Sequence, residues 1–122
     1  MKNYTKKQSS NKRKSERLDA KLQVSLFYGN IVYSGMVTNI SEKGMFISTR
    51  RNFAIDTMLV TSLMVGEEPL KLPIQIMRRA NSVDLNESPD NGVGVQILTC
   101  SEDYLNFFDK FKSSAQQLKL TM

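Results

Sequence analysis

The chain of 122 residues has no histidine, no tryptophan and a single cysteine, Cys100. Without histidine, a Ser-His or Cys-His nucleophile is excluded. One cysteine cannot close an internal disulfide, and alone it cannot build a zinc site. Acid–base chemistry would fall to Asp, Glu, Lys or Tyr, and no pair of these stands out by its context. An enzyme is therefore the weaker expectation, and neither a metal nor a resident cofactor is expected. No apolar run approaches the roughly 20 residues that span a bilayer. The stretch from Met1 to Lys14 is polar and basic and lacks the apolar centre of a secretory signal. A reducing, cytoplasmic setting is the expectation, and the length fits one domain.

Charge is unevenly placed. Residues 1–21 hold eight basic side chains (Lys2, Lys6, Lys7, Lys12, Arg13, Lys14, Arg17 and Lys21) against Glu16 and Asp19, a net of +6. The remainder holds nine basic and ten acidic residues, a net of −1, so the formal +5 of the protein sits on its N-terminus. A concentrated positive arm attracts phosphates, whether in a nucleotide, a nucleic acid or a membrane surface. The plainer reading is a solvated tail. Residues 1–20 have almost no apolar content before Leu18, and their Lys, Ser, Asn and Gln content predicts a disordered arm with order beginning near Lys21.

From there the hydrophobic period is that of strands. Leu22, Val24, Leu26 and Tyr28 alternate with Gln23 and Ser25, and Gly29-Asn30 is a hairpin turn signal. Residues 31–40 read as a second strand, with Gly35 suggesting a bend or bulge inside it. Further strands are read at 45–49, 57–65, 70–79 and 92–98, and Pro73 should confine the fifth to a sheet edge or a bulge. The polar stretch from Asn81 to Asn91 reads as a loop. The period then changes. Ser101 is a good N-cap with Glu102 and Asp103 behind it. Tyr104, Phe107, Phe108, Phe111, Ala115 and Leu118 recur at helical spacing. The expected fold is all-β: a six-stranded antiparallel barrel over residues 21–122 with one C-terminal α-helix, carrying a basic arm at 1–20. The aromatic stripe could meet a partner, but in so small a chain it more readily caps the barrel's open end.

Two short motifs remain. Arg13-Lys14-Ser15-Glu16-Arg17 sets two arginines four apart in the arm, and Asn39-Ile40-Ser41-Glu42-Lys43-Gly44 forms the turn between the second and third strands. Twenty-one residues lie between Arg17 and Asn39, enough for one strand, a tight turn and a second strand. That path returns the chain to the end where it entered, so arm and turn can face one site. Arginine offers a planar fork of donors that matches the edge of guanine or a phosphate. Asn39 can meet the guanine edge as donor and acceptor, Ser41 can give a hydroxyl to phosphate or base, and Gly44 can take positive φ and allow close approach of backbone to ligand.

This pair of motifs, with the strand pattern, the Gly92-x-Gly94 strand and the lack of catalytic residues, resembles the PilZ domain family over roughly residues 12–110. The resemblance implies a six-stranded barrel with a C-terminal helix and the ligand cyclic di-GMP. It implies that Arg13 and Arg17 carry most of the binding, with Asn39, Ser41 and Gly44 completing the pocket. Asn39 stands where Asp is common in the family, Ile97 where many members have an aromatic, and no tryptophan is present. Arg78 or Arg79 could supply the flat surface on which a guanine stacks, although a solvated edge explains them as well. Lys12 and Lys14 would add phosphate attraction, and Gly94 belongs to the same weaker group.

The leading expectation is a receptor whose arm orders over cyclic di-GMP and presents a changed surface to an effector protein. A module of the same fold that binds partners without ligand is the alternative. A nucleic-acid-binding barrel is disfavoured, because the barrel body is near neutral and offers no evident stacking platform. The plain readings of the motif residues are a surface pair of Arg17 with Asp19 or Glu16 and an ordinary turn built by Asn39 and Gly44.

Overall fold

Alternation decides which way each side chain of the sheet points. In the computed structural model, which describes residues 17–51, 53–80 and 91–121 and side chains as far as Ala115, six strands are followed by one helix. The strands are β1 (Leu18–Tyr28), β2 (Ile31–Ile40), β3 (Gly44–Ser48), β4 (Met58–Met64), β5 (Pro69–Ala80) and β6 (Gly92–Ile97), and the helix is α1 (Glu102–Thr121). They close into a barrel in the order β1-β2-β3-β6-β5-β4, with every neighbouring pair antiparallel. Inward positions are buried and, apart from Thr61, whose hydroxyl donates to the Leu72 carbonyl at 3.0 Å, apolar: Val24 and Leu26, Val37 and Ile40, Met45 and Ile47, Leu59 and Leu63, Leu72 to Ile76 at every second residue, and Val93, Val95 and Ile97.

The β1 strand begins at Leu18, three residues before the expected start of order. Leu18 pairs with Ile40 and Asp19 with Asn39, and both Leu18 and Ala20 pack against the core. The apolar side chain of Leu18 thus recruits the end of the basic stretch into the sheet. Lys12, Arg13 and Lys14, like the 81–90 part of the expected loop and the side chain of Leu118, lie outside the described residues.

Gly35 makes no bulge. It pairs in register with Val24, and a Cβ there would stand 2.8 Å from Ile47 Cγ2 and 3.2 Å from the Ser48 carbonyl oxygen, so the position is glycine for close packing. The bulges fall elsewhere: one extra residue in β1 between Asp19 and Leu22, Thr38 in β2 against β3, and Met77 in β5 against β6. Pro73 has an edge-like place although the barrel has no open edge. Its carbonyl accepts from the Leu98 N–H at 2.8 Å, just past the last β5–β6 pair, Ile74 with Ile97. A residue's N–H and C=O point to one side of an antiparallel strand, so the donor that proline lacks is missing where the ladder ends.

The α1 helix starts as its sequence predicts. The Tyr104 N–H donates to Ser101 Oγ at 3.2 Å, the bond of an N-cap, and Glu102 and Asp103 fill the first turn. Tyr104 and Phe108 are 0% and 2% exposed and belong to the core, with Phe107 and Phe111 half-buried beside them. The aromatic stripe is therefore barrel packing. Burying a side chain such as Phe108 contributes about 1.5–3 kcal/mol.

Candidate functional site

Cross-strand register lines up one row of residues on the outside of the barrel. Asp19 lies opposite Asn39, Asn39 opposite Phe46, Phe46 opposite Gly94, and Gly94 opposite Arg78. The row crosses β1, β2, β3, β6 and β5, and from Asn39 to Arg78 it spans about 14 Å at the usual spacing between strands. Bulges sit immediately before Asn39 and before Arg78, where they re-aim the next side chain.

Arg17 and Asn39 meet. The Arg17 guanidinium donates through Nη1 to Asn39 Oδ1 at 3.3 Å, so the end of the arm and the start of the turn form one cluster. At the far end of the row, the Arg78 stem lies on Gly94: a Cβ there would be 3.1 Å from both Cγ and Nε of Arg78. The Arg78 guanidinium carbon is 5.8 Å from the centroid of the Phe46 ring, within cation–π range. Arg79 pairs with Val93 and so turns to the opposite side of the strand. Of the two arginines, only Arg78 joins the row.

The turn itself is tightly held. The Ser41 N–H donates to the Gly44 carbonyl at 2.9 Å, Ser41 Oγ donates to the same oxygen at 3.3 Å, and the Gly44 N–H donates to Ser41 Oγ at 3.2 Å. Ser41 is only 9% exposed, and its hydroxyl is engaged within the turn. Gly44 does not take positive φ, contrary to expectation; among the described residues the positive-φ positions are Gly29, Gly66 and Asp56. Gly44 pairs with Gln96, and a Cβ on it would collide with the Val95 carbonyl oxygen, so the close approach it permits is to β6.

Two contributors escape a reading of the motifs. Phe46 lies between the glycines of β6, and a Cβ on Gly92 would be 2.6 Å from its Cε2 atom. An aromatic at an outward position opposite Gly-x-Gly is the signal that could have found it. Tyr104 supports the turn from below: its hydroxyl donates to the Ser41 carbonyl at 2.6 Å, across 63 residues of sequence. Burial, then the neighbouring Cys100 and Glu42, push the Tyr104 hydroxyl well above the ordinary tyrosine range, so it stays a donor. Cys100 Sγ adds a contact to the Glu42 carbonyl at 3.3 Å. Among the described residues no three His, Cys, Asp or Glu gather as metal ligands, and no helix is long and apolar enough to cross a membrane.

A closed barrel with a helix packed into its core and a polar, cationic row on its outer wall defines a class of small all-β binding domain. The chain belongs to the PilZ domain family, whose model matches residues 11–110. Among solved structures it is similar to the Bacillus subtilis inhibitor of motility MotI/DgrA, with TM-score 0.72 and 16% identity over 88% of this chain and 52% of that one. It thus spans about half the length of MotI. It is similar to the PilZ domain of YcgR from Escherichia coli, a structure with c-di-GMP, at TM-score 0.63 and 12% identity over 88% and 97% of the two chains. A third likeness is to the PilZ domain of CeSA from a cellulose-synthesizing bacterium, at TM-score 0.58 and 17% identity over 84% and 99%. No curated protein sequence matches.

Proposed function

We propose that the chain is a bacterial cytoplasmic receptor for cyclic di-GMP that works by binding and catalyses nothing. The observation that carries this reading is the Arg17–Asn39 hydrogen bond, which joins the two motifs at one end of the outer row. The YcgR neighbour, solved with c-di-GMP, supports the choice of ligand. On binding, the Arg17 fork would leave the single Asn39 oxygen for two parallel bonds, either to the O6/N7 edge of guanine or to a phosphate, whose negative charge strengthens them further. Asn39 would then be free to bond the ligand. Ser41 and Gly44 would act by fixing the turn. Arg78 would stack on a purine, with Gly94 leaving room for it. Arg13, Lys12 and Lys14 would close over the ligand from the arm, and the ordered arm would be read by an effector protein.

Titration calorimetry with cyclic di-GMP tests this. Binding at micromolar concentration that is lost or greatly weakened in Arg13→Ala and Arg17→Ala is the expected result, and no heat at tens of micromolar would sink the reading. A second reading, a ligand-independent interaction module, rests on a different observation. Val60, Phe27 and Val32 form an outward row across β4, β1 and β2 and are 44%, 37% and 57% exposed. If that module is the function, substitutions in this row abolish partner binding while Arg17→Ala is silent.

A further inference from the structure

One row further along the barrel from Asn39, Phe46 and Gly94 lie Met36, Ser48 and Gly92. The step along β3 is two residues, about 7 Å. There the wall opens into a cleft of about 870 Å³ whose lining includes Tyr33, Ser34, Ser48, Arg50, Arg51 and Asn91. Neither of the two motifs contributes to it. Among the described residues its lining holds two arginines and no carboxylate, so those residues meet an entering anion with positive charge.

The second arginine is held as well as charged. The Arg51 guanidinium carbon stands 5.3 Å from the Tyr33 ring centroid and 5.6 Å from that of Phe53. Phe53 is buried at 2% exposure and meets Tyr33 edge-on at 5.5 Å and 86°. The backbone beneath is tied down too. The Arg51 N–H donates to Thr49 Oγ1 at 3.3 Å, and that hydroxyl donates to the Ser34 carbonyl at 3.3 Å. Arg51 remains exposed to solvent above its aromatic backing. A planar cation packed on two fixed rings loses little freedom when a further ring stacks on it. Arg50, beside it and exposed, can reach a phosphate.

Arg78 on Phe46 repeats the same device in the neighbouring row. The outer wall therefore carries two arginine-on-aromatic platforms, and the Phe46 ring that backs Arg78 leans over Gly92. We infer that the Arg50–Arg51 cleft is a second purine-nucleotide subsite, in which Arg51 stacks on the base and Arg50 bonds a phosphate. This rests on the cyclic di-GMP reading above. The occupant is a guanosine phosphate unit, either the second half of the ligand held at Arg17 and Arg78 or a second ligand molecule.

The test is calorimetric titration of the full chain with cyclic di-GMP. Arg50→Ala, Arg51→Ala and Arg51→Lys are compared with Lys71→Ala, which removes the same charge from exposed β5. Loss of a charge-assisted bond in Arg50→Ala and of a stacking surface in Arg51→Ala each predict about tenfold weaker binding, with Lys71→Ala close to wild type. Arg51→Lys keeps the charge but not the plane, and should weaken binding nearly as much as Arg51→Ala. Weakening at constant stoichiometry identifies the second half of one ligand, and a fall from two bound molecules to one identifies a second ligand. Wild-type binding with unchanged affinity and stoichiometry in the Arg50 and Arg51 variants overturns the subsite and leaves the receptor reading standing. No binding by the wild type overturns both. Should Arg51→Ala unfold, Arg50→Ala, which removes no aromatic packing, and Arg51→Lys decide the matter, checked by their unchanged melting temperatures.

Discussion

The two halves of the barrel wall are built differently. On the β2–β3–β6–β5 side the ladders are broken by bulges at Thr38 and Met77, and Gly44, Gly92 and Gly94 each stand where a side chain would be tight or impossible. On the β5–β4–β1 side the ladders run without a shift from Val24 to Phe27 and from Met58 to Met64, and the exposed outward residues include Phe27, Met58, Val60 and Met64. Both sides share one core, so the difference is not a matter of stability. Regular pairing is the default of a sheet, and irregularity concentrates where a side chain has to be re-aimed. The irregular side is where the arginines, Asn39 and Phe46 collect.

Four measurements would break or sharpen that contrast. The largest effect is expected at Gly44→Ala, because the new methyl meets the Val95 carbonyl, a backbone atom that cannot swing aside. A loss of about 3 kcal/mol in urea unfolding is the expected value for such overpacking. A near-neutral result would mean that the turn is softer than its hydrogen bonds imply.

Arg17→Ala comes next. Arg17 is exposed, so melting should shift by less than about 0.5 kcal/mol, while affinity for cyclic di-GMP drops by a factor of 10 to 100, about 1.5–3 kcal/mol. Equal losses of stability and affinity would mean that its contact with Asn39 is structural.

Tyr104→Phe should cost about 1–2 kcal/mol, since the Ser41 carbonyl loses its donor. It should also alter the alkaline limb of the stability curve. The unfolded tyrosine ionises near its ordinary value of 10.0, whereas burial keeps the folded one protonated well above that. The unfolded state therefore gains from ionisation as pH rises past 10, and stability falls there. Below that pH both states hold the proton, and the contribution is constant. Subtracting the Tyr104→Phe curve from the wild-type curve by thermal unfolding at pH 8 to 11 should isolate this fall, and parallel curves would place the hydroxyl in water.

The smallest effects belong to the regular side. Met58→Thr and Val60→Thr, both exposed on β4, should change stability by no more than about 0.5 kcal/mol and leave ligand affinity untouched. A drop in affinity from either would erase the distinction between the two sides.

How much of this was legible in the sequence depends on range. Strand positions, the hairpin at Gly29-Asn30 and the Ser101 cap follow from residues within a few places of one another, and they stand in the structure almost as read. The motif cluster was legible because a strand, turn and strand between Arg17 and Asn39 leave little choice of geometry. What depended on a distant partner was not. A bulge exists only relative to the strand beside it, so Met77 could not be seen to set Arg78 in the row and turn Arg79 away. Gly44 was expected to take positive φ and let the backbone approach a ligand, but its reason is Val95, 51 places on. Leu18 joined the sheet because Ile40 was there to pair with it. The cleft at Arg50 and Arg51 needed Tyr33 and Phe53 to be brought together by folding.

Barrel closure has a consequence for every encounter this domain makes. An open sheet offers its border as a template, and many partners bind such sheets by donating a strand to it. Here every strand has a bonded neighbour on each side over part of its length, and Pro73 in β5 stands where its ladder to β6 runs out. Where both neighbours are in place, main-chain recognition is closed off. Along those stretches a ligand or a partner has to be distinguished by side chains, so a few surface substitutions could retune specificity while the fold beneath them stays as it is.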